Sequence, residues 1–510
     1  MKKHLFAWAS AVMLATVGAG AQNPIIQTRY TADPAACVYG DTLYLYTSVD
    51  NEEGEGYQKT FWQLYTTTDM VNWTDRGTVA SLADFNWAND NGAWAPHVIP
   101  RNGKWYMYAP LQMLGIGVLV GQSPTGPWRD PLKHALINHD IRDIDPTAFI
   151  DDDGQAYLYW GNNGLWYVKL TRNMLDYNGE ITEIPLTEET VGGYVETYKD
   201  ENGNEQERVI GVDNYEEGPW VYKREGKYYL VYAAGGIPEH LSYSMSDSPT
   251  GPWKYQGRIM DTPEGSFTTH PAVVDFKGHS YIFYHSGQLK GGNGFRRSVC
   301  VEEFEYNADG TIPFIPATKK GVEEAVGKVS PYVRQEAEMI AMSVGVRTAQ
   351  DGMRGVYLDS LDMGDYVKVK AVDFGEAGAR SVRLCARKTV NDGVIQVCID
   401  SQSNVVATVD VGAQDWTELV ADLGETVSGV HDVYFRFRAT DTARRNDLMQ
   451  FDWWCFSSQT ASGVVSVEAE DRNGPAPFGL YDLSGRRIAE PGMGIYIKDG
   501  KKYMGRPHVK

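Results

Sequence analysis

The chain has 510 residues, enough for more than one domain, and its 42% hydrophobic and 22% charged residues are those of a globular protein. A formal net charge of −20 argues against nucleic acid and against an anionic membrane surface as partners. The 31 tyrosines and 14 tryptophans suit β-structure, and equally suit surfaces that stack on the flat faces of sugars; composition alone does not separate the two.

In chain order, residues 1–21 come first. A basic start, an apolar run and Ala19-Gly20-Ala21 predict a secretory signal cleaved after Ala21. The apolar run is short for a membrane span and no second one follows, so the mature chain is expected to be exported: periplasmic, at the cell surface or extracellular. Five cysteines, most in apolar strand-like runs, are expected as buried free thiols, with a Cys385–Cys398 bridge left open. No cysteine or histidine spacing resembles a zinc site.

Residues 22–316 carry one pattern five times: a proline, then about ten residues later a strand rich in tyrosine. The copies are ADPAACVYGDTLYLYTS from Ala32, WAPHVIPRNGKWYMYAP from Trp94, IDPTAFIDDDGQAYLYWG from Ile144, EGPWVYKREGKYYLVYAA from Glu217 and THPAVVDFKGHSYIFYHS from Thr269. Each reads as a β-hairpin with a polar, glycine-containing turn. Between them recur outer elements such as GQSPTGPWRD (121–130) and SDSPTGPWKY (246–255). Five four-stranded units of this kind predict a five-bladed β-propeller. In such a fold the first strands surround a common axis, so equivalent repeat positions converge. The residue before each proline is Asp33, Ala95, Asp145, Gly218 or His270, with Glu217 one step earlier.

Three carboxylates delivered to one pocket suit acid–base hydrolysis. One carboxyl must stay protonated to donate to a leaving group, one must stay ionised to activate water, and a third raises and orients the acid. On glycosides a wide carboxylate separation gives inversion and a narrow one retention. Glu216 adjoins Glu217 and, in a regular strand, would point to the solvent side.

The segments TADPA (31–35), AWAP (93–96), DIDPTAFIDDDG (143–154), EEGPWVYK (216–223), THPAVV (269–274) and GFRRSVCVEEFEYNADGTI (294–312), in this order on a five-fold repeat, resemble glycoside hydrolase family 43. The resemblance implies an inverting hydrolase of pentose sugars, with Asp33 as general base, Asp145 as the group that orients the acid and raises its pKa, and Glu217 as general acid. It also implies that Trp94 stacks on a sugar ring and that Arg296 hydrogen-bonds sugar hydroxyls, with Arg297 facing away. His270 resembles an axial histidine of the family that meets a central calcium through water, and stands among the candidate substrate-binding residues; a hydrogen-bonded core histidine is the alternative.

Residues 317–333 read as a polar linker. Residues 334–458 abandon the repeat for alternating strands such as DYVKVKAVDF, SVRLCARK, GVIQVCID and DVYFRFRA, a β-sandwich (jelly-roll) pattern. RQEAEMI (334–340) and MQFDWWCF (449–456) are similar to carbohydrate-binding module family 6, which implies a structural Ca2+ held by Glu336, Glu338 and Asp452. The family's paired tryptophans are reduced here to Trp416, with Ala413 where the first is expected, leaving Tyr357 to line an edge site. Residues 459–510 form a small C-terminal β tail of two or three short strands, resembling sorting or attachment modules of exported bacterial proteins.

The fold expected is therefore all-β: a five-bladed propeller, a sandwich module and a small tail. The function expected is removal of α-L-arabinofuranosyl side chains from arabinoxylan by a monomer, its partners being plant cell-wall polysaccharide, arabinoxylan or arabinan, and the oligosaccharides derived from it. The alternatives are a β-D-xylosidase, an arabinan-degrading enzyme, or a non-catalytic sugar-binding propeller.

Overall fold

A computed structural model describes residues 22–461, except 54, 55, 201, 212 and 353, together with short strands between 480 and 505. The expected signal segment lies outside the described residues. The chain through Ser458 forms one compact unit and residues 459–510 a second.

Five antiparallel sheets follow the five repeats. The first contains Thr31–Tyr39, Thr42–Val49, Phe61–Thr67 and Trp73–Ser81; the third runs from Thr147–Ile150 to Tyr177–Glu183, and the fourth from Tyr215–Arg224 to Lys254–Met260. The second (His97–Arg101, Lys104–Leu111, Gly115–Gly121) and the fifth (Ala272–Phe276, His279–Ser286, Ser298–Phe304) have three strands, one fewer than the repeat predicted. In the second, isolated bridges, Val120 to Arg129 and Ile116 to Ile137, stand where a fourth strand would pair. The first strands of the five sheets neighbour one another in the cyclic order first, second, third, fourth, fifth, first, as a five-bladed propeller requires. The segment from Gln22 runs beside the last strand of the fifth sheet, where Ile25 N–H donates to the Val299 carbonyl (2.8 Å) and Thr31 N–H to that of Arg297 (2.8 Å). Near-continuous burial of strands such as Lys227–Ala234 and Ala156–Trp160 explains their tyrosine and tryptophan content: each sheet packs on both faces.

The sandwich has a six-stranded and a five-stranded face around one apolar core. One is ordered Arg347–Asp351, Gly355–Leu361, Met449–Ser457, Ala379–Lys388, Thr417–Val427; the other Met342–Val344, Tyr366–Asp373, Val430–Ala439, Gly393–Ile399, Val405–Val411. Gln335–Glu336 pairs with the Met449–Ser457 strand, but Met339–Ile340 crosses over and becomes the fifth strand of the propeller's first sheet, Met339 opposite Thr74 and Ile340 opposite Trp73. Asn72 and Lys370 exchange two hydrogen bonds across the same junction (Asn72 Nδ2 to the Lys370 carbonyl, 3.0 Å; Lys370 N–H to Asn72 Oδ1, 2.8 Å), and Thr348 Oγ1 donates to buried Asp75 (2.8 Å). The polar connection 317–333 is itself bonded on both sides, Gln22 N–H to the Lys320 carbonyl and Val329 N–H to that of Ala371.

All five cysteines are free; Cys385 and Cys398 belong to opposite faces of the sandwich. Among the described residues no helix is long and apolar enough to cross a membrane. In the second unit Leu480–Tyr481, Arg487–Ile488, Gly494–Lys498 and Lys501–Gly505 form one four-stranded sheet, more than the two or three strands expected.

Candidate active site

The first strands deliver their carboxylates through an unusual backbone. Asp33 (φ 54°), Asp145 (φ 56°) and Gly218 (φ 63°) all sit in the left-handed region immediately before a repeat proline. Register shifts at Ala32/Ala35 and on both sides of Glu217 accompany them. Such bulges re-aim side chains out of the strand's alternation. At the fourth repeat glycine takes the strained position and the carboxylate moves one residue earlier. A Cβ on Gly218 would lie 3.0 Å from His270 Nδ1, so both φ and space favour glycine there.

The result is a cavity of ≈ 270 Å³ lined by Asp33, Asp145 and Glu217 together with Tyr57, Lys59, Trp94, Ile144, Asn162, Glu216, Ile237, Glu239, Thr268 and Arg297. The three sequence-predicted carboxylates therefore converge. Trp94 lines the cavity as expected, its ring fixed by an N–H bond to the Tyr57 carbonyl (3.0 Å). The two adjacent arginines exchange the places expected of them. Arg297 is buried and lines the cavity, whereas Arg296 is half-buried outside it and donates to the Gly291 carbonyl (2.9 Å). A turn closed by Asn293 and Arg296 precedes the strand, which begins only at Ser298, so strand alternation does not apply at these positions. Glu216 also lines the cavity and accepts from Asn163 Nδ2 (2.9 Å); the bulge beside it overrides the solvent-side expectation. His270 does not line the cavity: it is buried behind the carboxylates, Nδ1 3.9 Å from Asp145 Oδ2, and burial lowers it to about 4, so it is a neutral core group.

Charge separates the carboxyls. Burial alone would raise Asp33, but the Lys59 ammonium (2.7 Å) and the Arg297 guanidinium (3.4 Å) more than offset it and hold the group well below the usual carboxylate range. Burial raises Glu217 to about 7; a hydrogen bond from Asn162 Nδ2 (2.7 Å) opposes the rise, and the Asp33 and Glu216 charges add to it. Asp145 is raised well above its ordinary value by burial and by the Glu217 and Asp33 charges, and its Oδ2 accepts the Gly218 N–H (3.1 Å), which ties it to the strand carrying Glu217. Glu239, buried with Oε2 accepting the Thr269 N–H (2.7 Å), is raised likewise. An ionised carboxylate and a protonated carboxyl in one cavity can act as base and acid at neutral pH.

Sequence reasoning missed Lys59, Asp50, Asn162 and Glu239. Asp50 binds Arg297 through Nε and Nη2 (2.9 and 2.8 Å) across 247 residues of sequence. Its local signal was only a charged residue after an apolar strand.

The expected calcium ligands of the sandwich are not gathered. The chain leaves the sandwich sheet after Glu336 and joins the propeller at Met339, so the glutamates meet different neighbours. Glu336 accepts from Arg334 (2.7 Å); Asp452 accepts from Arg354; buried Glu338 faces Asp75 and Arg76 of the first sheet. Glu338 Oε2 and Asp452 Oδ1 are buried without hydrogen-bond partners, which suits an oxygen-seeking cation, but guanidinium groups already engage Glu336 and Asp452. Among the described residues no three His, Cys, Asp or Glu side chains, at this junction or around His270, are arranged to hold a metal. Trp416 is flanked by Arg354 and Arg387 (4.3 and 4.9 Å to the ring centroid), with Tyr357 edge-on at 5.3 Å.

Comparison with known proteins agrees with this architecture. Residues 21–312 match the model of glycosyl hydrolases family 43, and residues 336–458 that of the family 6 carbohydrate-binding module. An arabinoxylan arabinofuranohydrolase of Bacillus subtilis (strain 168) is 31% identical over 504 residues, covering 86% of this chain and 93% of that protein. A crystal structure of a family 43 arabinoxylan arabinofuranohydrolase from Bacillus subtilis in complex with cellotetraose superposes with a TM-score of 0.72 at 28% identity, over 86% of this chain and 98% of the other. A xylosidase/arabinosidase of Bacteroides ovatus is 34% identical over 321 residues, covering 56% of this chain and 95% of its own. The match over most of the catalytic repeats and the whole sandwich leaves one conclusion: the chain belongs to glycosyl hydrolase family 43 and is a glycoside hydrolase with a C-terminal family 6 carbohydrate-binding module.

Proposed function

We propose that this enzyme removes α-L-arabinofuranosyl side chains from arabinoxylan with inversion of configuration. The observation that carries the reading is the opposite poise of Asp33 and Glu217 in one cavity. Glu217, protonated up to about pH 7, donates its proton to the glycosidic oxygen. Asp33, held ionised, takes a proton from the water that attacks the opposite face of the sugar. Asp145 fixes the acid's strand through the Gly218 N–H (3.1 Å), and the Asp33 and Glu216 charges help to keep the acid's proton on. Trp94 and Arg297 hold the sugar ring. At ≈ 270 Å³ the cavity is below the roughly 300 Å³ at which sites for drug-sized ligands begin, which favours a terminal residue over a chain segment.

Arabinoxylan is favoured because the similarity to the arabinofuranohydrolases runs through both propeller and sandwich. Release of terminal xylose is the second reading, supported by the xylosidase/arabinosidase of Bacteroides ovatus, whose similarity covers 56% of this chain. The mature enzyme is proposed to be exported and to work as a monomer, as the leader-like residues 1–21 and the polysaccharide substrate suggest. The deciding experiment is a digest of arabinoxylan with the released sugars separated by chromatography. Arabinose alone is expected. Xylose would transfer the assignment to the second reading, and release of neither sugar would refute both.

A further inference from the structure

Lysine is rarely buried unless it is paired. Lys59 lies between strands Thr42–Val49 and Phe61–Thr67, and its side chain is 2% exposed. Its Nζ meets Asp33 Oδ2 and Ser48 Oγ, both at 2.7 Å, and Asp50 Oδ1 at 3.3 Å. Ser48 Oγ in turn donates to Asp33 Oδ2 at 2.5 Å. Two donors therefore converge on Oδ2. Asp33 Oδ1 keeps a 3.4 Å contact from Arg297 Nη1, which has a nearer partner in Thr268 Oγ1 at 3.1 Å, and lies 3.7 Å from His285 Nδ1, a nitrogen that already accepts the Asp33 N–H. The backbone around Lys59 is pinned as well: its N–H donates to Asn91 Oδ1 (2.7 Å), and its carbonyl accepts from the N–H groups of Gly92 and Ala93 (both 3.0 Å), which lead into Trp94.

We propose that Lys59, together with Ser48, is a positioning residue for Asp33: the pair saturates Oδ2 and leaves Oδ1 as the oxygen that receives the proton of the attacking water. The inference rests on the reading of Asp33 as general base and adds which of its atoms acts and what holds that atom in place. A carboxylate with both oxygens free could rotate about its Cβ–Cγ bond and present either one; a doubly bonded Oδ2 removes that freedom before the substrate arrives.

The charge pattern makes the idea testable. Asp33 is faced by Lys59, Arg297, His285 and His270 on one side of the balance, and by Glu217, Asp145 and Asp50 on the other. Burial keeps both histidines neutral, and Arg297 is shared with Asp50. Without Lys59, one guanidinium would serve two buried carboxylates, and Asp33 would take up a proton at a higher pH.

The experiment compares Lys59→Met, Lys59→Arg, Ser48→Ala and Asp33→Asn on an aryl α-L-arabinofuranoside, with kcat and KM measured across the acid and neutral range. Lys59→Met is expected to lower kcat by about 10²-fold, the low end of a general base's contribution, with little change in KM. Its acid limb of kcat/KM should move up by about one pH unit. Lys59→Arg, which keeps the charge, should restore the position of that limb even where its kcat is reduced by an imperfect fit. Ser48→Ala should move the limb in the same direction by less. A Lys59→Met enzyme with wild-type melting, kcat and acid limb would overturn the proposal. If Lys59→Met does not fold, an unmoved acid limb in Ser48→Ala overturns it instead. Asp33→Asn tests the underlying reading separately: wild-type activity there would remove Asp33 as base and this proposal with it, whereas an inactive Asp33→Asn beside an unperturbed Lys59→Met would reject the positioning role alone.

Discussion

Asn162→Ala is the most discriminating perturbation of the acid. Burial sets Glu217 near 7, and the Asn162 amide, 2.7 Å from Oε2, pulls in the other direction because it favours the ionised form. A hydrogen bond to a charged group contributes about 1.5–3 kcal/mol, and about 1.36 kcal/mol of differential interaction moves a pKa by one unit. Water entering the space left by the amide recovers part of that, so the expected rise is about one unit. The sign follows directly: losing a group that stabilises the anion raises the pKa, the acid keeps its proton to higher pH, and the alkaline limb of kcat/KM moves outward. The wild-type acid is half protonated near pH 7 and about one-tenth protonated near pH 8; in Asn162→Ala the half-protonated point lies near pH 8. The assay is the pH profile of kcat/KM on an aryl α-L-arabinofuranoside, each variant normalised to its own plateau, which removes any effect of Asn162 on sugar binding. An alkaline limb that stays in place or moves to lower pH would refute the assignment of Glu217 as the group titrating in that limb.

Three further outcomes are expected. Glu217→Gln should lose about 10²–10⁴-fold on arabinoxylan, whose leaving group needs a proton, and far less on a dinitrophenyl glycoside, whose leaving group does not; equal losses on both would reject the acid role. Gly218→Ala should lower stability by about 1–2 kcal/mol, because alanine disfavours φ 63° and its Cβ would crowd His270, and it should cost activity by shifting Glu217; calorimetry and kcat measure the two effects. Thr348→Ala removes one hydrogen bond from the buried Asp75 carboxylate at the propeller–sandwich junction and should cost about 1–3 kcal/mol, read as a lower Tm, while leaving the alkaline limb of the pH profile where it was.

The repeat, the all-β class and the three carboxylates were legible in the residues alone. These are local facts: a proline at a fixed offset from a tyrosine-rich strand fixes each hairpin, and symmetry brings Asp33, Asp145 and Glu217 together without any further information. What surrounds them is set by contacts between distant parts of the chain. Lys59 reaches Asp33 from a loop 26 residues away, and Asp50 orients Arg297 across 247 residues, so neither partnership leaves a periodic trace. The choice between Arg296 and Arg297 turned on where a strand begins, and the fate of Glu338 on the chain's crossing from sandwich to propeller between Glu336 and Met339. Periodicity reports the face a side chain occupies within a regular element. Bulges, turns and crossovers break that regularity, and in this chain the groups that set each carboxyl's charge stand at those breaks.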